Sequence, residues 1–151
     1  MTSLTILKEN YESFALANYR NKRVYLSGMS VSLALPKIFK VCYFDIDSQS
    51  WMDAPESRVQ RKDHSSIGTR SHIFLLGGCA LGGSIESLNV EQDHQKWQVI
   101  LTHKEIVDRT HAALVKLDKD RIMVYGGTSS ESGLRMAKNG YIVDTSNNEL
   151  K

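Results

Sequence analysis

Residues 111–127 read HAALVKLDKDRIMVYGG. A short apolar run, His111 to Leu114, passes through a polar turn into a second run, Arg121 to Tyr125, that stops at Gly126-Gly127. The same hairpin occurs twice earlier. Ser13-Phe14-Ala15-Leu16 leads to Arg23-Val24-Tyr25-Leu26-Ser27-Gly28 and aligns with residue 111 onward without a gap. His64-Ser65-Ser66-Ile67 leads to His72-Ile73-Phe74-Leu75-Leu76-Gly77-Gly78 through a shorter turn. Gly28, Gly78 and Gly127 stand 50 and 49 residues apart. Strands repeated at such a period mark an array, in which one unit does not bury its own apolar face and its neighbours must.

Each hairpin continues into a second one. Ile38–Asp45 (IFKVCYFD), Ser84–Val90 (SIESLNV) and Gly140–Asp144 (GYIVD) have the alternation and β-branched content of strands. Polar turns follow, then Trp51 in the first unit and Trp97-Gln98-Val99-Ile100 in the second. In the third, Leu150 takes the tryptophan's place. A unit is therefore four antiparallel strands, A to D. The units span 13–63, 64–110 and 111–151, with the last truncated inside strand D. In the segment 1–12, Ser3–Leu7 reads as a strand D without its own blade.

These features resemble the kelch repeat, over residues 13 to 151. The matching marks are Gly77-Gly78 and Gly126-Gly127, the apolar strand before each, Tyr43 and Tyr141 in strand C, Trp51 and Trp97, and Arg61 and Arg109 ahead of strand A. Repeat one departs from the pattern, with Gly28-Met29 at its corner. The resemblance implies an all-β fold of about three propeller blades in an incomplete or open ring. The end blades would then keep apolar faces exposed, and three completions compete: a longer chain, a second copy, or another protein.

Composition fits one soluble domain: 151 residues, 41% hydrophobic and 24% charged. Nineteen basic residues against 17 acidic give a net charge of +2, too balanced to point to nucleic acid. No apolar window is long enough to span a membrane, and Met1–Tyr11 lacks the pattern of a signal peptide. A cytoplasmic location is the expectation. Cys42 and Cys79 read as buried thiols rather than a disulfide.

No catalytic or metal-binding constellation stands out, and no cofactor is expected. The histidines, at 64, 72, 94, 103 and 111, form no ligand spacing. His64 and His111 occupy matching repeat positions and read as structural; His72 and His94 read as solvated. Gly77–Gly83 is glycine-rich but leads into no helix that could cradle phosphate.

Binding remains. The B–C loops (29–37, 79–83, 128–138) and the D–A loops (53–63, 102–109) share one face of an up-and-down blade. They carry Arg58, Arg61, Arg109 and Arg135 beside Leu33, Leu35 and Leu81. Arginine next to exposed apolar residues suits protein recognition. Arg58, Arg135, Leu33, Leu35 and Leu81 are the candidate contacts; Arg61 and Arg109 look structural by repeat position. The expectation is a non-enzymatic module that binds a protein or peptide, as a substrate-recognition or cytoskeletal scaffold. The alternatives are a sugar-handling propeller enzyme of oxidase or isomerase type, and a degenerate fragment of a larger kelch protein.

Overall fold

Strands form where apolar runs lie between turn residues, as the alternation predicts. The computed structural model describes residues 7, 9–31, 37–78, 84–103, 106, 109–129, 135–146 and 149–150, with the backbone alone at 135 and 149–150. β1 (Asn10–Tyr19), β2 (Arg23–Val31), β3 (Ile38–Asp45) and β4 (Ser50–Asp53) make one antiparallel sheet in that order. β5 (Ser65–Gly68), β6 (His72–Leu76), β7 (Ile85–Asn89) and β8 (Trp97–Leu101) make the second. β9 (Arg109–Thr110) precedes β10 (Ala113–Lys116) and β11 (Arg121–Tyr125). β12 (Thr128–Ser129), β13 (Arg135–Met136), β14 (Gly140–Asp144) and β15 (Glu149–Leu150) complete the series. The third blade is β10-β11-β14-β15, and β13-β12-β9 form a small sheet that the repeat pattern did not foretell.

The three blades are thus present as expected. The first begins at Asn10, inside the segment assigned to the N-terminus. Ser3–Leu7, read as an extra strand D, lies outside the described residues apart from Leu7.

Strand pairing fixes how the repeats correspond. The first residue of strand B faces the last of strand C in every blade: Arg23 with Asp45, His72 with Asn89, Arg121 with Asp144. The B strands are therefore offset by 49 residues at both steps, and Gly28 corresponds to Gly77 and Gly126. The match of Gly28 with Gly78 and Gly127 was one residue out. The A strands follow: Ala15, Ser65 and Ala113 face Ser27, Leu76 and Tyr125. Ser13, Asp63 and His111 are then equivalent, and share left-handed φ values of 49°, 56° and 56°.

Two further expectations fail by one-residue slips of their own. His64 matches Phe14 and Ala112 rather than His111. Tyr141 matches Cys42 and Glu86 rather than Tyr43. A shift of one residue in a strand moves a side chain to the opposite face, so these pairs do not do the same job. The strand D reading holds: Trp51, Trp97 and Leu150 lie opposite Phe44, Leu88 and Val143.

The blades pack face to face. Tyr25, Phe39 and Val41 of the first meet Ile73, Leu75, Leu88 and Trp97 of the second. Phe74, Leu76 and Ile85 of the second meet Ile122, Val124 and Val143 of the third. The middle strand β6 is sandwiched on both faces, hence its unbroken apolar run Ile73–Leu76.

The glycine corners serve this stacking. Gly77, Gly78, Gly126 and Gly127 have φ of 72°, 92°, 66° and 85°. In the first blade there is no such corner, because β2 runs straight through Gly28 and Met29 to Val31. Gly78 N–H donates to the Arg109 carbonyl at 2.8 Å, and a Cβ on Gly77 would come within 2.0 Å of that oxygen. At the equivalent Gly126 the nearest atom would be 3.9 Å away. Gly126→Ala should therefore cost only left-handed strain, about 1 kcal/mol. Gly77→Ala must also push the next blade's backbone away, and should cost about 3 kcal/mol or more. Urea unfolding of the two variants tests this; equal losses would mean that the blade contact at Gly77 yields freely.

Candidate functional site

Up-and-down connectivity puts the B–C and D–A loops at one end of every blade. Leu33, Leu35 and Leu81 lie outside the described residues, and for Arg135 only the backbone placement in β13 is described. Arg58 is exposed on the D–A segment between β4 and β5. Exposed Lys62 lies on the same segment, and exposed Lys138 and, in β13, Met136, which is 79% exposed, lie on the B–C connection of the third blade.

What holds Arg58 there is buried. Glu86, in the middle of β7, has no exposed side-chain surface. Its carboxylate accepts from Ser57 Oγ at 2.7 Å, from the Arg58 backbone N–H at 2.9 Å and from Arg61 Nη2 at 3.2 Å. The loop from the first blade is thereby pinned to strand C of the second, with Arg58's side chain left outside. A carboxylate on a buried strand face demands such partners, and Glu86 in SIESLNV was a signal legible in the sequence.

Arg61 and Arg109 are both buried, 1% and 3% exposed, so neither is a surface contact. Arg61 donates to the carbonyls of Gly77 and Ser84, each at 2.6 Å. Arg109 donates to the carbonyls of Gly126 and Asn139 at 3.0 and 3.1 Å and to Asn139 Oδ1 at 2.6 Å. Its guanidinium also lies 4.8 Å from the Tyr141 ring centre. Gly77 matches Gly126, Ser84 matches Asn139, and Glu86 matches Tyr141. The two arginines are thus one repeated latch, each tying the entry to strand A to its own B–C corner.

The first blade has the same latch in another chemistry. Tyr11 occupies the arginine position and Cys42 the Glu86 position, and the two side chains lie close enough for each to shift the other's pKa. Burial pushes the Cys42 thiol pKa up, and the Tyr11 phenol likewise, with Cys42 adding to the effect. Cys42 is a free thiol, but burial keeps it neutral and so poorly nucleophilic. Cys79 lies outside the described residues.

No family model and no curated protein matches this chain.

His64 is another titratable group in the interior. It is 5% exposed, contacts Ser27 Oγ through Nε2 at 2.7 Å, and meets the Phe39 ring edge-on. Burial, helped by the Arg61 charge, drops its pKa to about 3. A neutral imidazole between two blades suits a structural role. His72, expected to be solvated, is only partly so: burial lowers its pKa, and Ser71 Oγ sits 2.9 Å from Nδ1. His111 is 69% exposed beside Asp63, and His94 is exposed as expected. Among the described residues, no three His, Cys, Asp or Glu side chains gather as metal ligands would, and no helix is long and apolar enough to cross a membrane.

Proposed function

We propose that this chain is a non-enzymatic, cytoplasmic interaction module of kelch-type repeats, whose B–C/D–A loop face receives a protein or peptide. The observation that carries the reading is the Glu86 network. A fully buried carboxylate is committed to fixing the loop that displays Arg58. A rigid cationic anchor loses little entropy on binding. The same end of the blades also carries Lys62, Lys138 and the exposed Met136, so it suits an acidic peptide carrying an apolar residue. The groups that an enzymatic reading would recruit, His64, Arg61 and Arg109, are engaged in holding blades together. A substrate-recognition or cytoskeletal scaffold role fits such a face.

Fluorescence anisotropy with labelled Glu/Asp-rich peptides tests the proposal. Binding should weaken with added salt, and Arg58→Glu should reduce affinity at least about tenfold, the cost of a lost rim or anchor charge, with unchanged thermal stability. If wild type binds no acidic peptide, or Arg58→Glu binds as well, this face is not the receptor.

A further inference from the structure

We propose that two copies of this chain pair head to tail, the outer face of the first blade of each covering the outer face of the third blade of the other. Phe14, Leu16, Val24, Leu26, Phe44 and Trp51 line an apolar depression of about 340 Å³ on the outer side of the first blade. Phe14 and Leu16 are 57% and 53% exposed. By strand register their counterparts in the second blade include Ile73, Leu75, Leu88 and Trp97, which are at most 1% exposed because the first blade covers them. The outer face of the first blade is thus built to be covered by a preceding blade.

The third blade offers what would cover it. Its outer face carries Val115 and Tyr125, both 53% exposed, with Met123 and Ile142 between. Their counterparts in the first blade are Ala17, Ser27, Tyr25 and Tyr43, the side that packs on the second blade. The chain therefore makes one kind of junction twice internally and exposes both halves of a third. Contact between unlike faces propagates until a ring closes. Rings of roughly four to eight blades are the rule, and two sets of these three blades make six.

Light scattering on size-exclusion chromatography of residues 1–151 at micromolar concentration, with circular dichroism on the same fractions, decides the matter. The expected result is a single folded species of twice 17.0 kDa. Leu16→Glu and Val115→Glu alter opposite faces at side chains already exposed in the protomer. Each alone should give a folded species of half that mass. A folded wild-type monomer, an open-ended series of masses or an unfolded aggregate overturns the proposal. So does a dimer that survives either substitution, because a junction of unlike faces needs both.

Discussion

Arg61→Met should cost about 3–5 kcal/mol, the usual penalty for removing one partner of a buried ion pair. That is a large fraction of the roughly 5–15 kcal/mol that holds a domain folded. The reason is the carboxylate left behind. Glu86 has no exposed surface, so without Arg61 its charge is stranded with two neutral donors, Ser57 Oγ and the Arg58 N–H. Burial lowers the pKa of Arg61 itself and Glu86 opposes that pull, so each charge depends on the other. A second substitution separates this cause from lost packing. Glu86→Gln removes the charge, its single oxygen can take the Arg58 N–H and its amide can donate to the Ser57 hydroxyl, so Arg61→Met with Glu86→Gln should be more stable than Arg61→Met alone. Urea midpoints measure both. If the second change gives no recovery, the stranded charge is not the source of the loss.

Acid should weaken the fold well before the carboxylates titrate. The folded pKa of His64 is about 3, against an ordinary 6.5. Its contribution is complete above the unfolded value and is lost as pH falls from 6.5 toward 3, because only the unfolded chain takes up the proton there. The slope approaches 1.4 kcal/mol per pH unit, so between pH 7 and pH 5 the loss is about 2 kcal/mol. His72, half-buried with its pKa also lowered, adds in the same direction. His64→Gln keeps a polar group near Ser27 and cannot protonate, so most of the pH 7 to 5 dependence should vanish in that variant. An unchanged pH profile would show that His64 is protonated in the folded state or is not the group responsible.

Blade number and strand order were legible because alternation, turns and terminal tryptophans are local signals. Ile38–Asp45 and Gly140–Asp144 are strands to the residue. Register was less legible, since it is fixed by which backbone groups pair across a sheet. The glycine pairs of the second and third units invited a match of Gly28 to Gly78, while pairing puts it with Gly77. Separate one-residue slips, in strand A and in strand C, gave the false equivalences of His64 with His111 and Tyr43 with Tyr141. The candidate site was legible only in part. Arg58 is exposed as expected, but its support comes from Glu86, 28 residues away, through a contact that exists only once two blades are stacked. The burial of Arg61 and Arg109 follows from their repeat position, which the sequence did reveal.

Internal duplications usually favour recombination, because matching stretches can exchange. The three latches restrict that exchange here. Arg61 with Glu86, Arg109 with Tyr141, and Tyr11 with Cys42 are separate solutions at one position, and in each the two members lie on opposite sides of strand B. A crossover inside strand B would hand the second unit's arginine to the first unit's cysteine, placing a cation in a sealed site without its carboxylate. Whole units can be gained or lost from such an array, but half-units cannot be traded, and the order of the blades becomes a heritable property of the chain.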